Sequence, residues 1–133
     1  SRSDSRPPTR NDWIDAMKSN EPLFDGPELA ARLAVLPGWR ASNGWLRREY
    51  TTDGWRSTML AVNAIAFVAE AGNHHPDLEV HWGRVVVMMQ THSAGGITEK
   101  DLQMAERIEA TVQWQPKGGF PGLEGQSDGW ITG

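Results

Sequence analysis

The hydrophobic period changes at His74-His75-Pro76, and this change constrains the fold more than any other feature of the chain. Upstream, from Gly54 to Ala71, the side chains of Met59, Leu60, Val62, Ala64, Ile65, Ala66, Phe67 and Val68 form a run too long for a strand. Its length and alanine content predict a helix buried on most sides. Gly72-Asn73 supplies a stop. Downstream, Leu78, Val80 and Trp82 alternate with Glu79 and His81, the period of a half-buried strand. Gly83-Arg84 turns the chain. Val85, Val87, Met89 and Thr91 then share one face, opposite Val86, Met88, Gln90 and His92. Apolar residues on both faces predict a strand covered on both sides or used in assembly.

The flanking segments complete the pattern. Asp25-Gly-Pro opens a short helix, with Asp25 as its cap and Pro27 in the first turn; Leu29, Leu33 and Leu36 give it an apolar stripe before Pro37-Gly38 ends it. Trp39 to Ser42 and Trp45 to Thr51 read as two strands, joined at Ser42-Asn43-Gly44 by an Asn-Gly hairpin signal. After the Ser93-Ala-Gly-Gly loop, Thr98-x-x-Asp101 resembles a capping box with Asp in place of Glu. It opens a last helix with Leu102, Ala105, Ile108 and Val112 toward the core. The order αββαββα predicts an α+β fold: a four-stranded antiparallel sheet with three helices on one face.

This pattern fills residues 23–114, read as one domain. Residues 1–22 are polar and rich in Ser, Arg, Pro and Asn, with one amphipathic turn at Trp13, Ile14 and Met17, and read as a flexible N-terminal arm. Residues 115–133, rich in Gly, read as an irregular tail with anchors at Phe120, Leu123, Trp130 and Ile131.

Composition removes several classes of function. A chain of 133 residues suits one domain. A net charge of −4 offers no basic field for nucleic acid or an anionic membrane surface. No run approaches the roughly 18 apolar residues of a membrane span, and the first residues lack the apolar stretch of a secretory signal. With no cysteine, disulfides, thiolate zinc sites, thiol nucleophiles and iron–sulfur clusters are excluded. That absence fits a reducing cytosol, so a cytoplasmic setting is expected.

All four histidines lie between positions 74 and 92, and three stand beside turns. Imidazole is the side chain best matched to proton transfer near neutral pH. A hairpin that leaves after Pro76 and returns by His92 brings its end near its start, so His74, His75 and His92 can share one pocket rim. Asp101 and Glu70 are placed to orient an imidazole, and Glu70 could instead accept a substrate N–H. His81, on the polar side of its strand, reads as a solvated residue. A metal would draw on the same side chains. Against it, the paired histidines are adjacent rather than four apart, and no H-E-x-x-H occurs. No nucleophile elbow is present, and Gly95-Gly96 alone is a weak anion-binding signal.

Glu70-Ala-Gly-Asn-His74-His75-Pro76, then Trp82, then Thr91-His92, then Gly96-Ile-Thr-x-x-Asp101 resembles the pterin-4a-carbinolamine dehydratase family. The resemblance runs over about residues 24–113. It implies a small α+β domain that removes water from 4a-hydroxytetrahydropterin to give the quinonoid dihydropterin in tetrahydrobiopterin recycling. It implies no metal or organic cofactor. By resemblance, His74 and His92 form the acid/base pair, His75 lines and binds the pterin, and Glu70 and Asp101 orient histidines or hydrogen-bond the ring. Thr91 and Trp82 join the substrate-binding set, although the parity of Trp82 with Leu78 and Val80 also fits a simple strand cover. A homodimer or homotetramer is implied. Leu78 stands where the family often has Trp, and Trp82 where Tyr is common.

The reaction suits two imidazoles. Hydroxide leaves poorly, so an acid must protonate it while a base takes the ring N–H proton; each typically contributes on the order of 10²–10⁴-fold. The family also holds dehydratase-like proteins that look like RuBisCO assembly factors of the α-carboxysome, and dimerisation cofactors of a transcription factor. The alternative is therefore a non-catalytic, carboxysome-associated protein with a client such as RuBisCO, using its oligomer surface or tails.

Overall fold

The computed structural model describes residues 22–116, 119–125 and 129–133, so the expected arm, Pro22 apart, lies outside the described residues. The elements are α1 (Gly26–Leu33), β1 (Trp39–Ser42), β2 (Trp45–Thr51), α2 (Trp55–Gly72), β3 (Asp77–His81), β4 (Arg84–Met89) and α3 (Glu99–Val112). This is the expected αββαββα order.

The sheet is antiparallel throughout, in the order β1-β2-β4-β3. Asn43 (φ 53°) and Gly44 (φ 80°) are both left-handed, as a two-residue hairpin turn between right-twisted strands requires. The two hairpins meet where Leu46 faces Met89 and Tyr50 faces Val85. On that face Leu46, Tyr50, Val85, Val87 and Met89 pack with Ala61, Ile65 and Val68 of α2 and with Leu102, Ala105, Ile108 and Val112 of α3. Each Leu, Ile, Val or Met side chain among them contributes about 1.5–3 kcal/mol on full burial. The opposite, outer face is largely polar: Arg40, Arg47, Glu49, Asp77, Glu79 and Arg84 share it by register. Val86 is nonetheless buried there, between Glu49 and Glu79.

Several expectations change. Asp25 occupies the α1 cap position without a side-chain capping bond, and the helix ends at Leu33; Leu36 is buried in the turn that follows. The helix α2 is not buried on most sides. Ser57, Thr58, Ala61, Ile65, Val68 and Ala69 form one buried stripe, while Phe67 is 73% exposed. A single sheet and α3 cover only one side of it. In β3 only Leu78 is half-buried, because β3 lies at the sheet edge.

The tail is not wholly irregular. β1 is too short to pair with the last residues of β2, and the chain end takes that place: Thr132 N–H donates to the Thr51 carbonyl at 2.7 Å, and Ile131 bridges Thr52 and packs against the core. Phe120, Leu123 and Trp130 remain exposed, with Phe120 edge-on to Trp114.

Candidate active site

The C-terminus of α2, the start of β3, the end of β4 and the start of α3 come together at one end of the sheet. Asn73 takes a left-handed conformation at the end of α2 (φ 50°, ψ 43°). His74 follows, its N–H still bound to the Ala69 carbonyl at 3.1 Å. Its Nε2 lies 2.6 Å from Oδ1 of Asp101, whose side chain is inaccessible to solvent. Oδ2 of Asp101 accepts from the Thr91 hydroxyl at 2.7 Å and from the Thr98 backbone N–H at 2.9 Å.

The donors can be ordered by counting protons. Thr91 gives its one hydroxyl proton to Asp101, so the 2.8 Å contact between Thr91 and Thr98 is donated by Thr98. The Thr98 oxygen in turn accepts from the Lys100 N–H at 3.3 Å. A carboxylate only accepts, so His74 donates through Nε2 and its Nδ1 is left to exchange a proton. The side chain that completes the capping box of α3 is thus the one that orients His74. The N-terminus of α3 favours the negative charge placed there.

The other sequence-chosen residues divide. His75 Nε2 meets Glu70 Oε1 at 2.9 Å, an exposed pair of the kind worth about 0–1 kcal/mol. His92 stands in the turn after β4, its ring edge-on to Trp45 with centroids 5.6 Å apart. His81 is solvent-exposed near Glu79 and Arg84. Trp82 does not join these residues within one chain. It is 69% exposed and packs over Gly54, at the opposite end of α2 from His74. An 18-residue helix makes that separation roughly 27 Å. β3 carries the chain away from His74 and His75 before Trp82 is reached.

Two contributors were not selected from the sequence. Thr98 has a cap signature that accounts for it without a second role. Trp45 follows the Asn-Gly turn, and only the register of β2 on β4 brings it to the His92 end. Two depressions open there. A groove of about 800 Å³ between α2 and α3 has His74 at its rim, with Phe67, Met104 and Arg107 among its walls. A hollow of about 250 Å³ on the outer sheet face is walled by Trp45, Arg47, Asp77 and Met88. Among the described residues, no three His, Asp or Glu side chains are grouped to hold a metal ion.

A second polar cluster is structural. Glu109 accepts from Tyr50 at 2.6 Å, Trp39 Nε1 at 2.8 Å and Arg48 Nε at 3.2 Å. Burial pushes the Glu109 carboxyl up, but the hydrogen bonds from Arg48, Tyr50 and Trp39 outweigh it and hold the group below the ordinary carboxylate range. Burial, then Glu109, raises the Tyr50 hydroxyl well above its usual value.

Comparison with known proteins gives one family. Residues 22–111 match the model for pterin 4 alpha carbinolamine dehydratase. A protein of Aquifex aeolicus is 44% identical over 86 residues, covering 65% of this chain and 87% of its own. One of Mycobacteroides abscessus is 42% identical over 90 residues, covering 68% and 96%. Both bear the name pterin-4-alpha-carbinolamine dehydratase as a provisional assignment. The crystal structure of a transcriptional coactivator/pterin dehydratase from Brucella melitensis superposes with a TM-score of 0.64 at 27% identity, over 68% of this chain and 98% of that one. A pterin dehydratase-like RuBisCO assembly factor of the α-carboxysome matches at 17% identity with a TM-score of 0.48, over 58% and 89%. With the match spanning both hairpins and the helices between and after them, the chain belongs to the pterin 4 alpha carbinolamine dehydratase family.

Proposed function

We propose that the protein removes water from a 4a-hydroxytetrahydropterin, with His74 as general base and His92 as general acid. The observation that supports this reading is the Thr98–Thr91–Asp101–His74 hydrogen-bond chain, which ties the His74 ring through Asp101 to Thr91, the residue before His92. Held at Nε2 by a carboxylate, His74 takes the ring N–H proton at Nδ1, and Asp101 stabilises the imidazolium that forms. The C–O bond at the 4a carbon breaks with its electron pair on oxygen. His92 donates the proton that turns this leaving group into water, while the N–H electron pair becomes the new C=N bond. Solvent then takes up the proton from His74 and reprotonates His92, which is exposed.

The test is the dehydration rate with wild type, His74→Ala, His92→Ala and the double variant. Each single change is expected to lower kcat by roughly 10²–10⁴-fold. A wild type no faster than the double variant overturns the reading.

A further inference from the structure

The groove between α2 and α3 has an apolar floor with Phe67 standing 73% exposed beside Val68, Ala71 and Met104. At about 800 Å³ it has room for several side chains. Its charged walls are Lys100 and Arg107 of α3, and no Asp or Glu is among the described residues that line it. The two flanks of α3 therefore differ. On the α1 side, Glu99 and Glu106 accept from Arg32 at 2.6 and 3.3 Å. The groove side sets two cations over apolar surface, which suits an occupant that is both apolar and acidic.

The chain holds such a segment. Residues 12–17 read Asp-Trp-Ile-Asp-Ala-Met, with Trp13, Ile14 and Met17 beside two acids and no base. They lie before the family match, which begins at residue 22. The first described residues fix where this segment is tethered. The Phe24 N–H donates to the Ile97 carbonyl at 2.8 Å, and the Leu23 side chain lies against Gly96. Both contacts fall just before α3, and Lys100 follows in its first turn. From Lys100 to Arg107 the helix rises about 10 Å. From Leu23 back to Met17, six residues of chain span at most about 20 Å, enough to reach the groove. A tether this short holds the segment at an effective concentration on the order of millimolar. We propose that residues 12–17 dock in the α2–α3 groove of their own chain, with Trp13, Ile14 and Met17 against Phe67 and Met104, and Asp12 and Asp15 toward Lys100 and Arg107. This docking does not depend on the dehydratase reading.

The chain has no cysteine, so disulfide trapping in the full chain tests the docking directly. Ile14→Cys is combined with Gln103→Cys on the groove side of α3. In the controls it is combined with Glu99→Cys or Glu106→Cys on the α1 side, positions that bracket 103 along the helix. With oxidised glutathione, the pair with Gln103→Cys is expected to close an intrachain disulfide on the order of 10-fold faster than either control. Adding Phe67→Ser or Arg107→Glu to that pair is expected to slow closure by roughly 2- to 5-fold. Positions 67, 103, 106 and 107 are exposed, so these changes leave the core intact. Equal rates for the three pairs, or closure unaffected by both groove substitutions, overturns the proposal. A disulfide that joins two chains instead of closing within one also overturns it, and assigns the groove to a second copy.

Discussion

His74 Nε2 and Asp101 Oδ1 lie 2.6 Å apart, although the residues are 27 positions apart in the chain. Asp101→Asn tests what this contact does. An amide turned toward His74 donates rather than accepts, so Nε2 must become the acceptor and Nδ1 takes the proton. The base is lost while the shape is kept. The expected result is a kcat lower by roughly 10²–10⁴-fold with little change in KM. Asp101→Ala should also destabilise by several kcal/mol, since three donors lose a buried acceptor at about 1–3 kcal/mol each. An Asn variant with wild-type kcat would refute the orienting role.

Trp45 braces the His92 ring edge-on. Such aromatic contacts are worth about 0.5–1.5 kcal/mol, so Trp45→Leu should lower kcat by roughly 2- to 10-fold, far less than His92→Ala. Steady-state kinetics of the two variants side by side check the order; a reversed order would place the catalytic weight elsewhere.

Glu109 sets the response to acid. Its folded carboxyl binds a proton less readily than it does in the unfolded chain. Its contribution is therefore complete above the ordinary carboxylate range and is lost as pH falls through the lower folded value. Thermal melts of wild type should fall in Tm across this acid range. Glu109→Gln should start lower at neutral pH and fall less. Parallel curves would show that the cluster is not the acid-sensitive element.

Removing residues 129–133 uncovers the last residues of β2 and takes away the carbonyl that Arg48 Nη1 reaches at 3.1 Å on Gly133. The loss of Ile131 from the core edge and of these bonds should cost about 1–3 kcal/mol. Denaturant midpoints should show it, with the dehydration rate at 25 °C unaltered. A rate that falls with the truncation would mean that the chain end acts on the site.

Chelation is expected to change neither activity nor Tm, because the proposed proton transfers need only imidazole and carboxylate groups. A loss of activity in EDTA that added divalent metal restores would revive the competing metal reading.

How much was legible follows from what each signal measures. The bounds of β1 and β2 were readable because Asn-Gly fixes the turn and the strands flank it in register. Asp101 was readable because a capping box names its own members. The exposure of Phe67 was not: dense apolar spacing shows that a helix exists, but not how many sides its neighbours cover. Trp82 shares the apolar parity of Leu78 and Val80, yet parity carries no information on which end of a strand meets the histidines. Arg47 and Asp77 became neighbours of one hollow only through the pairing of three strands.

The chain at residues 131–132 runs beside Thr51 and Thr52, at the end of the sheet remote from Leu46 and Met89. A linker attached after Gly133 would leave from that remote end. Immobilising the protein on a sensor surface through such a tether would leave the end that carries His74 and His92 facing the bulk solution, free to meet small solutes.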